Sequence, residues 1–305
     1  MASKSSFSNT LPTNSPAQFL NGITDGFSDA RKLGEGAFGT VYKLGEDGEP
    51  IAVKKLADNA PVAPEKQFKI GVGNLMAMQH PNIVRLLGSC HEPQKKVIEH
   101  SGRYIMVDVV ESLLYYEYIP NGNLDKGRIF IHYLKKICHG LLYLHKKMDR
   151  PIVHLDLHPT NILLDENMVP KITDFGLSRL FGEEQTRINT INVNISIGGE
   201  ISTRSDIYSL GVVIMEFTTS EKSCSSDKDM SARDFVDKAR LSLENMFWML
   251  ILYEHIASKH SALDAGSLQE VRTCIKIGLK CVDIDQNKRP SIVEIVDKLN
   301  GRRAH

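Results

Sequence analysis

The sequence predicts an α+β fold in which strands come first and helices follow. Short apolar runs rich in β-branched residues recur over residues 33–118, separated by glycine-bearing turns, as strands of a sheet do. From residue 128 to Asn300 the pattern changes to the three- and four-residue spacing of amphipathic helices. Interrupting the helical regime, at 152–176, polar side chains stand at the ends of two very short apolar runs. These runs, Ile162-Leu163-Leu164 and the segment around Ile172, read as a hairpin. Polar groups held at the ends of buried strands are placed as a functional site is.

A chain of 305 residues, 42% hydrophobic, suffices for one or two domains with sizeable cores. Lys and Arg number 37, as do Asp and Glu, so no general basic field is available to hold nucleic acid. The five cysteines are odd in number, widely spaced and without a C-x-x-C pair, which points to buried free thiols in a reducing compartment. No signal-peptide pattern opens the chain, and Ala2 excludes N-myristoylation. The longest wholly apolar stretch, Met246–Tyr253, has eight residues, far short of a membrane span. The expectation is a cytoplasmic chain with no nucleic-acid partner and no membrane span of its own. Residues 1–25, rich in Ser, Thr, Asn and Pro, read as a flexible tail.

At 33–43 Leu-Gly-Glu-Gly-Ala-Phe-Gly-Thr-Val-Tyr-Lys places Gly34, Gly36 and Gly39 as G-x-G-x-x-G. Such glycines let backbone N–H groups approach phosphate oxygens without obstruction. Dinucleotide-binding proteins use the same triplet, but between a strand and a helix. Here Thr40-Val41-Tyr42 continues as a strand, Gly45–Gly48 turns, and Ile51-Ala52-Val53-Lys54 is a second strand, which disfavours that reading. Ala52 and Lys54 share one strand face and Lys55 faces the other way. Residues 66–79 carry Phe68, Val72, Leu75 and Met76 at helical spacing. Gly71 and Gly73 interrupt that helix at about 1 kcal/mol each, so a loosened helix is expected. Strands follow at Ile83–Leu87 and Leu113–Tyr118, then a helix over 128–147. Near the end Ile275, Leu279 and Val282 form one helix face, so Cys274 and Cys281 should pack rather than react.

His154-x-Asp156, four further residues, Asn161, and then Asp174-Phe175-Gly176 complete a set with the glycine loop and the strand lysine. Together they resemble the protein kinase signature. The run Leu-Leu-Tyr-Tyr-Glu-Tyr-Ile-Pro-Asn-Gly-Asn-Leu at 113–124 is similar to the inter-lobe hinge of plant receptor-like serine/threonine kinases, and the resemblance covers about residues 26–300. It implies a two-lobed protein kinase fold, with a small antiparallel sheet and one helix at about 26–118, a mainly α-helical lobe at about 119–300, and a tail at 301–305. It implies ATP and Mg2+ bound between the lobes. In that scheme Asp156 is the catalytic base, Asn161 and Asp174 are metal ligands, and Lys54 meets the α- and β-phosphates. Leu33, the three glycines, Val41, Ala52, Tyr116, Glu117, Ile119 and Leu163 line the nucleotide, with the Glu117 carbonyl and Ile119 N–H at adenine. His154 is structural, with Phe175 packed on it and on Leu75, and Asp206 fixes the catalytic-loop backbone.

Four positions depart from the family pattern. Gly71 stands where the helix glutamate should pair with Lys54; Glu65, six residues earlier, lies roughly 240° away around the helix and is a poor substitute. Leu155 replaces the arginine that commonly precedes the catalytic aspartate, so control by loop phosphorylation is not expected. His158 replaces the lysine that touches the transferred phosphate; imidazole is mostly neutral near pH 7, which weakens stabilisation of transition-state charge. Between Asp174 and Asp206 there is no Ala-Pro-Glu, so the peptide-docking platform is shortened, Arg289 lacks its usual glutamate, and Met246–Tyr253 is a candidate cover for the exposed surface. A transcript spliced short would leave the same gap. Two readings follow: an ATP-dependent serine/threonine kinase acting on protein hydroxyls, with His158 and Lys54 beside Asp156 in catalysis, or a pseudokinase that binds nucleotide or a partner kinase. The resemblance also allows association with membrane receptors.

Overall fold

A computed structural model describes residues 26–36, 39–45, 50–57, 65–124, 130–148, 151–174, 202–219, 234–238, 241 and 265–301. These fall into two compact units, one ending at Pro120 and the other starting at Asn121. The expected tail at 1–25, most of the turn at 45–48, Phe175, the rest of the segment to residue 201, and Met246–Tyr253 lie outside the described residues.

The first unit is a five-stranded antiparallel sheet with one helix. Its strands are β1 (Lys32–Gly36), β2 (Gly39–Leu44), β3 (Ile51–Leu56), β4 (Leu86–His100) and β5 (Arg103–Glu117), in spatial order β1-β2-β3-β5-β4. Alternation sorts the side chains: Leu44, Ile51, Val53, Cys90, Leu113 and Tyr115 form a buried cluster on one face, covered by Phe27. Helix α1 (Glu65–Met76) buries Phe68, Val72 and Leu75, the i, i+4, i+7 stripe, and Phe68 stacks on the His91 ring at 4.5 Å. It runs unbroken through Gly71 and Gly73, because burial of that stripe outweighs the two glycine penalties.

Two strand boundaries differ from expectation. Ile83 and Val84 are buried but precede the strand; Ile83 N–H closes a turn on the His80 carbonyl, and β4 begins only at Leu86. Conversely β4 and β5 each run for 15 residues, well past the expected Leu113–Tyr118. They join at Ser101-Gly102, whose φ values of 52° and 72° match the right-handed twist of the flanking strands.

In the second unit, α2 (Phe130–Lys146) buries Leu134, Ile137, Cys138, Leu141 and Leu144. The short strands β6 (Ile162–Leu164) and β7 (Pro170–Ile172) pair antiparallel, as the central stretch predicted. Helices α3 (Thr203–Thr219) and α4 (Ala265–Cys281) pack with Gly211 and Gly278 at their contact: a Cβ on Gly211 would lie 2.7 Å from Cys281 Cβ, and one on Gly278 2.7 Å from Ile214 Cγ2. Around them Tyr208, Met215, Phe235, Val236, Ile275 and Val282 form a core, with Leu279 packed against it. Cys274 and Cys281 are buried and burial pushes both thiols up to about 12, so they pack as expected and do not ionise near neutrality. Helix α5 (Ile292–Leu299) starts at a capping box between Ser291 and Glu294. Among the described residues no helix is long and apolar enough to cross a membrane.

Candidate active site

The first unit brings most of the expected nucleotide-facing residues onto one sheet face. Val41 is opposite Lys54, Lys54 opposite Leu114, and Ala52 opposite Tyr116, so Val41, Ala52, Lys54 and Tyr116 share a face. Lys54 is 4% exposed. The adjacent Lys55 points the other way, to Glu111 at 2.7 Å and over the Phe27 ring at 4.6 Å. Alternation thus separates two neighbouring lysines into two environments.

The three glycines of the β1–β2 hairpin differ in what they do. Gly39 has φ 139° and a Cβ there would lie 2.0 Å from the Lys55 carbonyl oxygen, so the backbone approach of β2 to β3 demands glycine. At Gly34 and Gly36 a Cβ would meet nothing within 4 Å. Packing does not require glycine there, whereas a ligand laid along the backbone would. Leu33, beside them, is exposed. At the other end of the sheet Glu117 is clamped to Arg85: its N–H donates to the Arg85 carbonyl at 3.1 Å, and its carboxylate accepts from the Arg85 N–H at 2.9 Å. Ile119 follows, buried.

The second unit holds residues 154–161 in a loop anchored from beneath. Asp206, in the first turn of α3 and fully buried, accepts from the N–H groups of His154 (2.8 Å) and Leu155 (2.9 Å) and from His145 Nε2 (2.8 Å). These bonds hold Leu155 at φ 69°, a left-handed conformation that costs a leucine about 1–2 kcal/mol. His154 Nε2–H donates to the Thr173 carbonyl at 2.8 Å, and its Nδ1 accepts from the Asp156 N–H at 3.2 Å. Both bonds are satisfied by the neutral Nε2–H tautomer, so His154 braces the loop.

Asn161 is buried, and its Nδ2 donates to the Asp156 carbonyl (2.9 Å) and carboxylate (3.1 Å). That assignment leaves Oδ1 as the side chain's acceptor. Its carbonyl accepts from Thr173 N–H at 2.9 Å, and Ile162 lies opposite Ile172, so the β6–β7 hairpin carries Asn161 and Asp174 to the same end. Asp174 has φ 61°, a region that Asp tolerates better than most residues. His158 Nε2 lies 3.4 Å from the Asp156 carboxylate, and its Nδ1 is 2.5 Å from Thr160 Oγ1. Leu163 is half-buried and bridges to Asn123.

Burial works to raise the Asp156 carboxyl, but the hydrogen bond and charge of His158 outweigh it and the net shift is downward. Burial likewise works to lower His158, and the Asp156 hydrogen bond and charge, with smaller contributions from Asp174 and Glu216, raise it overall. His158 Nε2 also lies 3.0 Å from Asn161 Nδ2, so His158, Asp156 and Asn161 form one hydrogen-bonded cluster. Among the described residues no group of three or more His, Cys, Asp and Glu could hold a metal. Asn161 Oδ1 and Asp174 supply two hard oxygen donors, the kind of partial shell Mg2+ accepts when substrate oxygens and water complete it.

The loop's support includes residues that the sequence reading did not assign. His145, on the last turn of α2, bonds Asp206 beneath the loop; in the first unit, Glu117's clamp on Arg85 likewise left no pattern to find. Arg289 is held by other groups. It is buried, donates to the carbonyls of Asp283 (2.8 Å) and Arg204 (3.0 Å), and lies over the Tyr208 ring at 4.9 Å, while Arg204 donates back to its carbonyl. Burial lowers its pKa.

Comparison with known proteins places this geometry. The family described as protein kinase domain matches residues 27–299. Cysteine-rich receptor-like protein kinase 25 of Arabidopsis thaliana is 33% identical over 92% of this chain and 42% of its own length. Cysteine-rich receptor-like protein kinase 10 of the same plant is 35% identical over 90% of this chain and 41% of its own. The G-type lectin S-receptor-like serine/threonine-protein kinase CES101, also from Arabidopsis thaliana, is 33% identical over 91% and 33% respectively. The chain spans between a third and about two fifths of the length of these relatives.

Proposed function

This chain belongs to the protein kinase family, and we propose that it is an ATP-dependent serine/threonine kinase that transfers the terminal phosphoryl group to protein hydroxyls. The observation that carries the proposal is the Asp156–Asn161–His158 cluster on a loop pinned by Asp206. Asp156, its pKa held down, accepts the proton of the attacking hydroxyl, and its bond to Asn161 fixes the carboxylate. Asn161 and Asp174 hold Mg2+, which when bound neutralises charge on the terminal phosphates. The N–H groups of Gly34 and Gly36 and the Lys54 ammonium orient the phosphates. Leu33, Val41 and Ala52 face adenine, which the Glu117 carbonyl and Ile119 N–H read beside Tyr116. Protonated His158 supplies the cationic charge of the usual lysine. Protein substrates, partner kinases and membrane receptors are the partners this reading implies.

The test is phosphate transfer from Mg-ATP to a generic protein substrate, with Asp156→Ala as control. Transfer that Asp156→Ala abolishes while the melting curve is unchanged supports the reading. A specific observation favours a second one: α1 carries Gly71, and so no carboxylate, where the family places the glutamate that pairs with the strand lysine. A pseudokinase that binds Mg-ATP or a partner kinase without turnover fits that feature. Nucleotide binding with no transfer selects it.

A further inference from the structure

The outer part of the β4–β5 ribbon has no role in either reading. β3 pairs with β5 only from Leu113 to Glu117; from Ser112 out to Arg103, β5 pairs with β4 alone among the described residues. A two-stranded ribbon with no third strand is marginal in water. Its register puts Pro93 opposite Val110, Lys95 opposite Asp108, Val97 opposite Met106 and Glu99 opposite Tyr104, all on one face. On that face Val97 is 61%, Met106 66%, Tyr104 77% and Val110 51% exposed. So large an apolar surface on a thin ribbon marks an interaction site.

The two edges of the ribbon are not equivalent. β4 carries Pro93, which has no N–H to offer, and Lys95 and Lys96, all of which discourage pairing. β5 carries Tyr104-Ile-Met-Val-Asp-Val-Val110, with high strand propensity, one charge, and no proline or glycine. The β5 edge is also complementary to itself. About a two-fold axis at Val107, antiparallel pairing sets Arg103 opposite Glu111, Tyr104 opposite Val110, Ile105 opposite Val109 and Met106 opposite Asp108. Both charged pairs are then of opposite sign. Moving the axis to Met106 puts Arg103 opposite Val109, and moving it to Asp108 sets that aspartate against its own copy.

We infer that residues 103–111 of β5 form an association surface for a second copy of this chain, paired antiparallel about Val107. Each copy supplies the third strand the other's ribbon lacks, and Arg103 of one copy meets the Glu111 that already holds Lys55 at 2.7 Å. The interface is isologous and uses the same β5 edge in both copies, so assembly stops at two.

The experiment measures solution mass of the full chain across protein concentration by light scattering. The wild type should rise to twice the mass of one chain, and Val107→Pro should stay at one. A proline also weakens the ribbon itself, so cysteine crosslinking supplies the second arm. Val107→Cys places the two new thiols opposite each other, with Cα atoms about 5 Å apart and within disulfide reach. Ile105→Cys places them about 13 Å apart along the strands. Mild oxidation should crosslink Val107→Cys and leave Ile105→Cys and the wild type uncrosslinked; the described native cysteines are buried. A wild type of single mass at every concentration overturns the inference. So does a dimer that survives Val107→Pro, a mass that climbs beyond two copies, or equal crosslinking of the two cysteine variants.

Discussion

Single residues divide here into those the backbone demands and those left bare, and the glycine hairpin separates the two by experiment. Gly39→Ala drives a Cβ into the Lys55 carbonyl and should lower the melting temperature by several degrees. Gly34→Ala meets open space and should leave the melt unchanged while weakening ATP binding. Equal melting temperatures for the two variants would contradict the distinction. Asp206 invites a harsher prediction: Asp206→Ala takes the acceptor from three donors, two buried and one part-buried. It should cost about 3 kcal/mol or more in urea denaturation, and a loss under about 1 kcal/mol would show that the loop anchors itself. The polar residues of this loop were legible because their spacing is chemical. Other supporting residues were less so: Arg289 in the second unit and Glu117 in the first bond largely to backbone groups, which every residue type carries.

Among elements, the glycines of the helices should respond in opposite directions. Gly73 is exposed on α1 with room for a Cβ, so Gly73→Ala should stabilise by about 1 kcal/mol. Gly278 sits where α4 meets α3, and Gly278→Ala should cost about 1–3 kcal/mol by overpacking against Ile214. Denaturation midpoints decide both; a stabilised Gly278→Ala would mean the helices separate more easily than their packing implies. Periodicity exposed α1, α2, the α4 face and the β6–β7 hairpin, because each has one buried side. It misplaced the Ile83–Leu87 strand, since a buried loop is as apolar as a strand. The outer β4–β5 ribbon escaped because both faces meet solvent and its residues follow no single alternation, although Ser101-Gly102 was a turn signal in plain view.

For the whole molecule, two of the four departures bear directly on turnover: Gly71 in α1 removes the side chain that would pair with Lys54, and His158 substitutes a titratable ring for a permanent cation. His158 lies 3.4 Å from the Asp156 carboxylate, and in the proposed kinase reading catalysis rests on this loop of the second unit. The most direct test is the intact mass of the purified chain after incubation with Mg-ATP, with Asp174→Asn treated in parallel. The account predicts added phosphate on the wild type and none on the variant. An unchanged wild-type mass, with nucleotide bound, would contradict the claim of phosphoryl transfer and leave the chain a nucleotide-binding kinase-fold scaffold.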